Sequence, residues 1–287
     1  MLPQNASSHS QTLFAQARYF LKTCPPSLYE EVAVSGSVAR GIADQYSDCE
    51  VGFWVAELQI DAYKSWLESL GSAVTLMRES PDRGRAIYLE YSVDGIKLGT
   101  VWQKWDDLED ALAALSADRL PEHETAFWML AHLIPIGDAP RLKDYQSRVT
   151  QYPDTLRRNV IEQRLRNWRW MMGVSDVFLA EPVARRGQLY DLRRRQLMTL
   201  KDIFSMLFAF NRLWLPEAKW YNEEAAWMAQ KPPQLIERMD TLLTERDPYT
   251  VMETMRRLQV DSLRILSADF DVDDLITGLE AIDIKHG

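Results

Sequence analysis

Asp48 and Glu50 are carboxylates one residue apart, and a Gly-Ser pair, Gly36-Ser37, lies a short way upstream. The chemistry open to such a set involves phosphate and a hard cation. In an extended strand, side chains at i and i+2 point to one face about 7 Å apart along the chain. Both carboxylates can therefore reach one magnesium ion or a close pair. Gly36 has no side chain, so backbone N–H groups and the Ser37 hydroxyl can approach phosphate oxygens closely, and a helix starting at that turn favours anions. Magnesium on Asp48 and Glu50 would bridge a triphosphate and support an in-line displacement at phosphorus. Either half alone is commonplace, but the two at this spacing are restrictive.

Such residues need a strand, a turn and a second strand to position them. Val32 to Ser35 reads as a short strand, Gly36 and Ser37 as the turn, and Cys49 to Val55 as a strand with Cys49, Val51, Phe53 and Val55 on its apolar side. Asp48 and Glu50 are left on the other side. An amphipathic helix is expected over 10–22, carried by Leu13, Phe14, Ala17, Phe20 and Leu21 and ended by Pro25 and Pro26. Residues 61–70 read as helix. Ala86 to Val93 and Ile96 to Gln103 read as strands joined by Asp94-Gly95, a pair suited to a two-residue hairpin loop. From Asp106 onward helical periodicity takes over, at about 106–117, 123–134, 154–180, 188–213, 217–229, 233–244 and 250–267. The expectation is an α+β chain: a small mixed-sheet domain over 1–118, then an α-helical bundle over 119–287, with the boundary between Ser116 and Pro121.

With 287 residues, 46% of them hydrophobic, 26% charged and ten Trp, the chain can bury cores of that size. Its formal charge of −9 argues against a nucleic-acid surface, which needs clustered Lys and Arg. A cationic small acceptor suits that field better. Apolar runs stop well short of the roughly 18–20 residues that span a bilayer, and Met1 to Ser10 shows no signal pattern, so no membrane partner and a cytoplasmic location are expected. The two cysteines, Cys24 and Cys49, read as small buried hydrophobes in a reducing compartment. His9, His123, His132 and His286 are too scattered for a zinc site or a Ser-His-Asp triad.

The segment Gly36-Ser37-Val38-Ala39-Arg40-Gly41, followed by Tyr46-Ser47-Asp48-Cys49-Glu50-Val51, resembles the glycine-serine and acid-x-acid motif of the DNA polymerase β-like nucleotidyltransferase superfamily. The wording is closest to its antibiotic-modifying branch, which includes kanamycin and lincosamide nucleotidyltransferases. The resemblance covers about residues 30–110. It implies magnesium, and transfer of a nucleoside monophosphate, AMP foremost, from a nucleoside triphosphate to a hydroxyl of a small acceptor with release of pyrophosphate. An aminoglycoside or a lincosamide is the acceptor so implied. By position, Gly36, Ser37 and Arg40 contact the nucleotide, while Asp48 and Glu50 bind metal.

The helical half resembles the substrate-side bundle of these enzymes over Tyr152 to Trp168 and Leu207 to Trp220. Glu162 and Arg169 stand there as candidates for general base and phosphate contact, with Lys219 as a further nucleotide cation. Lincosamide enzymes instead draw the base from just after the last strand, where this chain has Asp107 and Glu109. Many members also carry a third metal-facing carboxylate on the strand aligned with Ile96 to Gln103, and the matching position here is Gly99. A two-residue loop at Asp94-Gly95 sets Glu90 opposite Gly99, on the polar side. Glu90 is therefore expected to lean across and act as a third acid, on metal or as base. Two alternatives stay open: modification of a protein hydroxyl, and a degraded relative that binds nucleotide without turnover.

Overall fold

A computed structural model of the chain describes residues 1–82, 84–119, 124–172, 183 and 186–282. Its strands are β1 (Glu31–Val34), β2 (Cys49–Trp54), β3 (Val74–Asp82), β4 (Ala86–Val93), β5 (Ile96–Gln103) and β6 (Ile134–Ile136). They form one sheet in the order β3-β4-β5-β2-β1-β6. β2 and β5 run parallel and the other neighbours antiparallel, so the sheet is mixed.

Alternation gives this sheet one apolar face. Val32 pairs with Phe53 and Val34 with Val51. Cys49 pairs with Leu98 and Phe53 with Trp102, and on the far side of β5 Leu98 meets Tyr91 while Trp102 meets Ile87. All of these side chains are buried. They pack with Ala17, Phe20 and Leu21 of α1 (Ser8–Leu21) and with Tyr63, Trp66 and Leu67 of α3 (Ile60–Glu68). The Trp102 ring is held between Phe53 and Tyr63, stacked at a centroid distance of 3.8 Å on both sides. Burying a large apolar side chain is worth about 1.5–3 kcal/mol, so this sandwich pins β5 against β2 and sets their register.

The chain divides into two compact units, Met1–Ala117 with Pro121–Thr150, and Asp118–Leu120 with Gln151–Gly287. Residues 124–150, which the periodicity assigns to the helical domain, thus lie in the first unit. They form α5 (Ala126–His132), β6 and α6 (Pro140–Arg148), after α4 (Asp106–Ser116). The reason is hydrogen bonding: β6 pairs with β1, and Glu31 of β1 caps α6. The second unit is helical, with α7 (Asp154–Asn167), a π-helical turn at Trp168–Met172, α8 (Leu189–Phe210), α9 (Tyr221–Ala225), α10 (Leu235–Thr244), α11 (Pro248–Leu266) and α12 (Asp273–Glu280). The α+β class, with a mixed sheet first and helices after it, is as expected. Residues 173–180 of the long helix expected to 180, and His123 and His286, lie outside the described residues. So does part of the expected boundary, at residues 120 and 121.

Strands β3 and β6 and helices α6 and α12 have no counterpart in the sequence reading. Leu76 and Met77 of β3 are exposed, so no alternation announces it. β6 is three residues long, too short for a periodic signal, and interrupts what reads as a helix to 134. Among the described residues, no helix is long and apolar enough to cross a membrane.

The α6 cap yields a stability prediction. Glu31 is buried and its two oxygens accept the Arg141 N–H at 2.8 Å and the Leu142 N–H at 2.7 Å. Glu31→Ala should lower the unfolding free energy by about 2–3 kcal/mol, from a lost cap and buried N–H groups left unpaired. Urea denaturation measures it, and a loss below about 0.5 kcal/mol would remove the cap from the account.

Candidate active site

The other face of the sheet carries the polar residues. Glu50 pairs with Gly99 across the parallel β2–β5 ladder, and Gly99 pairs with Glu90 across β5–β4, so the three form one row over three strands. Directly opposed residues share a face. Asp48 immediately precedes β2, beside Lys97, because the next pair is Cys49 with Leu98.

Two glycines make room for the carboxylates. A Cβ on Gly99 would stand 3.9 Å from Glu50 Cγ and 4.0 Å from Asp48 Oδ2, so both side chains converge over that one position. A Cβ on Gly36 would stand 1.5 Å from Glu50 Oε2, so the Glu50 carboxylate occupies the space that any other residue would need. Gly36 also has φ +63°, in the left-handed region that glycine tolerates best. It opens α2 (Gly36–Arg40), whose second residue, Ser37, is buried. The Ser35 N–H donates to the Glu50 carbonyl at 3.0 Å, which ties the turn to β2. Five residues make only a small helix dipole, so phosphate affinity here would have to come from individual N–H groups and the hydroxyl.

A lysine joins the carboxylates. Lys97 Nζ lies 3.0 Å from Glu90 Oε1 and 3.5 Å from Asp48 Oδ2, with the three side chains 46%, 24% and 29% exposed. The hydrogen bond to Glu90 holds the Lys97 ammonium above the usual lysine range, against the opposing effect of burial. Glu90 thus stands opposite Gly99, with one of its carboxylate oxygens on the ammonium. Cys49 faces the core, and burial, reinforced by Asp48 and Glu50, pushes its thiol up to about 12. A protonated buried thiol is no metal ligand.

Among the described residues, no group of three or more His, Cys, Asp or Glu is placed to hold a metal. Magnesium asks for less than that. It keeps several waters and is held by one or two carboxylates together with substrate phosphates. Asp48 and Glu50 supply oxygen donors of that number, and Gly36 and Gly99 leave those carboxylates room, so the residues present fit such an ion.

The remaining candidates have partners elsewhere. Arg40 sits in the last turn of α2 with its guanidinium 5.2 Å from the Trp128 ring centroid. Glu109 is ion-paired with Arg141 and accepts the Tyr145 hydroxyl at 3.2 Å. It follows the far end of β5, which strand rise puts about 13 Å from Gly99. Asp107 pairs with Arg85 at 2.8 Å. Glu162, Arg169 and Lys219 all lie in the second unit. Glu162 pairs with Arg166 at 3.7 Å, and Lys219 with Glu217 at 3.3 Å. Arg169 makes two hydrogen bonds to Asp274, at 2.9 and 3.0 Å, and one to the Asp271 carbonyl at 2.6 Å. The structure therefore gathers Gly36, Ser37, Asp48, Glu50 and Glu90 on the first unit and adds Lys97, which the sequence reading did not single out.

Beside Lys97 opens a pocket of ≈ 460 Å³, between the start of α1, the 44–47 loop and the tip of the β4–β5 hairpin. His9, Thr12, Tyr46, Ser47 and Ile96 line it with Lys97. The loop is stiffened by Asp44, which accepts the Tyr46 N–H at 3.0 Å and the Ser47 hydroxyl at 2.9 Å. These bonds, the Ser47 one foremost, hold the Asp44 carboxyl below its usual range.

Residues 124–221 match a family described as a domain of unknown function, DUF4037. No curated protein matches the chain. Among solved structures the chain is similar to a nucleotidyltransferase-like protein from Exiguobacterium sibiricum 255-15, at 13% identity over 91% of this chain and 74% of that one, with a TM-score of 0.39. At that score a functional reading rests on the residues themselves.

Proposed function

We propose that the first unit is a magnesium-dependent nucleotidyltransferase domain, which moves a nucleoside monophosphate, AMP foremost, from a nucleoside triphosphate to a hydroxyl of a small molecule. The observation that carries this reading is the convergence of Asp48 and Glu50 over Gly99, with Glu50 seated on Gly36 beside Ser37. In the reaction, the acceptor oxygen bonds to the α-phosphorus, the bond from that phosphorus to the bridging oxygen breaks, and pyrophosphate leaves. Asp48 and Glu50 hold the metal, and backbone N–H groups near Gly36 with the Ser37 hydroxyl orient the phosphates. Magnesium, when bound, neutralises charge on the phosphate oxygens. Glu90 takes the hydroxyl proton in this reading, because it stands in one row with Gly99 and Glu50, whereas Glu109 follows the far end of β5. An aminoglycoside acceptor agrees with the formal charge of −9.

The test is incubation of the protein with each labelled nucleoside triphosphate, magnesium, and a panel of aminoglycosides and lincosamides. A product heavier by one nucleoside monophosphate, formed with pyrophosphate, is expected. Nucleotide binding without pyrophosphate from any pairing would favour a second reading, a relative that binds without turnover. Gly99 at the third-acid position and Lys97 on Asp48 support that alternative. Glu90→Gln should lower turnover about a hundredfold if Glu90 is the base. A rate equal to wild type in that variant would leave Glu90 no part in turnover and the site with two carboxylates.

A further inference from the structure

We infer that Lys97 is a tethered cation that holds the carboxylate site before metal arrives and must leave Asp48 for magnesium to bind. The inference rests on the reading of Asp48 and Glu50 as metal ligands. Three acids, Asp48, Glu50 and Glu90, share one face of the sheet, and like charges so placed repel. Lys97 relieves this by reaching both Glu90, at 3.0 Å, and Asp48, at 3.5 Å, from β5, the strand between β4 and β2. An ammonium is a compact point charge with three rotatable donors, so it serves an oxygen-ligand set much as a hard cation does.

A magnesium ion stands about 2.1 Å from each carboxylate oxygen that it binds. On Asp48 Oδ2 it would face the ammonium, 3.5 Å from the same oxygen, and the two cations repel. The ammonium has somewhere to go, because Lys97 is 46% exposed and lines the ≈ 460 Å³ pocket beside His9, Tyr46 and Ser47. Free metal therefore meets an occupied site and binds weakly. A metal–triphosphate complex brings further negative charge, which gives the displaced ammonium a new partner. The protein on this account binds metal weakly alone and more tightly together with nucleotide.

The experiment is a titration of nucleotide-free protein with Mn2+, read by the electron paramagnetic resonance of the free ion, on wild type, Lys97→Met, Lys97→Arg and Asp48→Asn. Loss of a unit charge within 4 Å of a ligand on a half-exposed site is expected to tighten Mn2+ binding about tenfold in Lys97→Met. Lys97→Arg keeps the charge and should bind as wild type does, which separates an electrostatic role from a merely structural one. Asp48→Asn should lose the binding. Unchanged or weaker binding in Lys97→Met, with binding still lost in Asp48→Asn, overturns the role of Lys97 and leaves the metal site standing. No Mn2+ binding by wild type or by Lys97→Met overturns the metal reading and this inference together.

Discussion

Asp48→Asn should lower nucleotidyl transfer by about a thousandfold while the protein keeps its fold. Metal stabilisation of the transferring phosphoryl group is worth several kcal/mol, and about 4 kcal/mol corresponds to three powers of ten in rate. Asparagine preserves the shape of the side chain but removes its charge and turns one acceptor oxygen into an NH2 donor. Asp48 lies just outside β2, on the polar face, 29% exposed, so the core that begins at Cys49 is untouched. The ion pair lost with Lys97 is half-exposed and worth at most about 1 kcal/mol. Turnover, metal-dependent nucleotide binding and thermal unfolding together give the answer. Activity within tenfold of wild type would sink the metal role of Asp48, and collapse of the fold would make the residue structural.

Gly36→Ala should reduce turnover by about a hundredfold through Glu50. The new Cβ would stand 1.5 Å from Glu50 Oε2, a distance no two non-bonded atoms tolerate, so the carboxylate must leave its place. A second cost comes from the backbone, since φ is +63° and an L-residue there loses about 1–2 kcal/mol. The two effects separate in a double-mutant cycle with Glu50→Ala. Removing the Glu50 side chain abolishes the collision but not the backbone strain, so the stability loss on adding Gly36→Ala should shrink to about 1–2 kcal/mol in that background. A wild-type rate in Gly36→Ala would mean that the seat of Glu50 on Gly36 has no part in the reaction.

Much of this site follows from local rules. The parity of Cys49, Val51 and Phe53 against Asp48 and Glu50 is a property of extended chain, and the burial of the first three agrees with it. Asp94-Gly95 forms its tight loop with φ of 49° and 85°. That loop sets the pairs Val93–Ile96, Ser92–Lys97, Tyr91–Leu98 and Glu90–Gly99, because a hairpin register counts outward from its turn. The row that holds Glu90 opposite Gly99 was therefore legible from composition at two positions.

The parallel partnership of β2 with β5 was not. It places Glu50 beside Gly99 and Lys97 beside Asp48, and no turn connects the two strands to announce a register. Packing decides it, through Trp102 stacked between Phe53 and Tyr63 from three separate elements. For the same reason Lys97, an ordinary strand lysine by sequence, becomes part of the acidic cluster only in the folded unit. Glu109 meets the converse fate, because Arg141 reaches it from a helix that Glu31 caps. Residue type and local spacing are enough to say which side chains face one way along a strand. Which strands and helices then stand side by side depends on apolar surfaces far apart in the chain, and so does every charge that one carboxylate finds next to another.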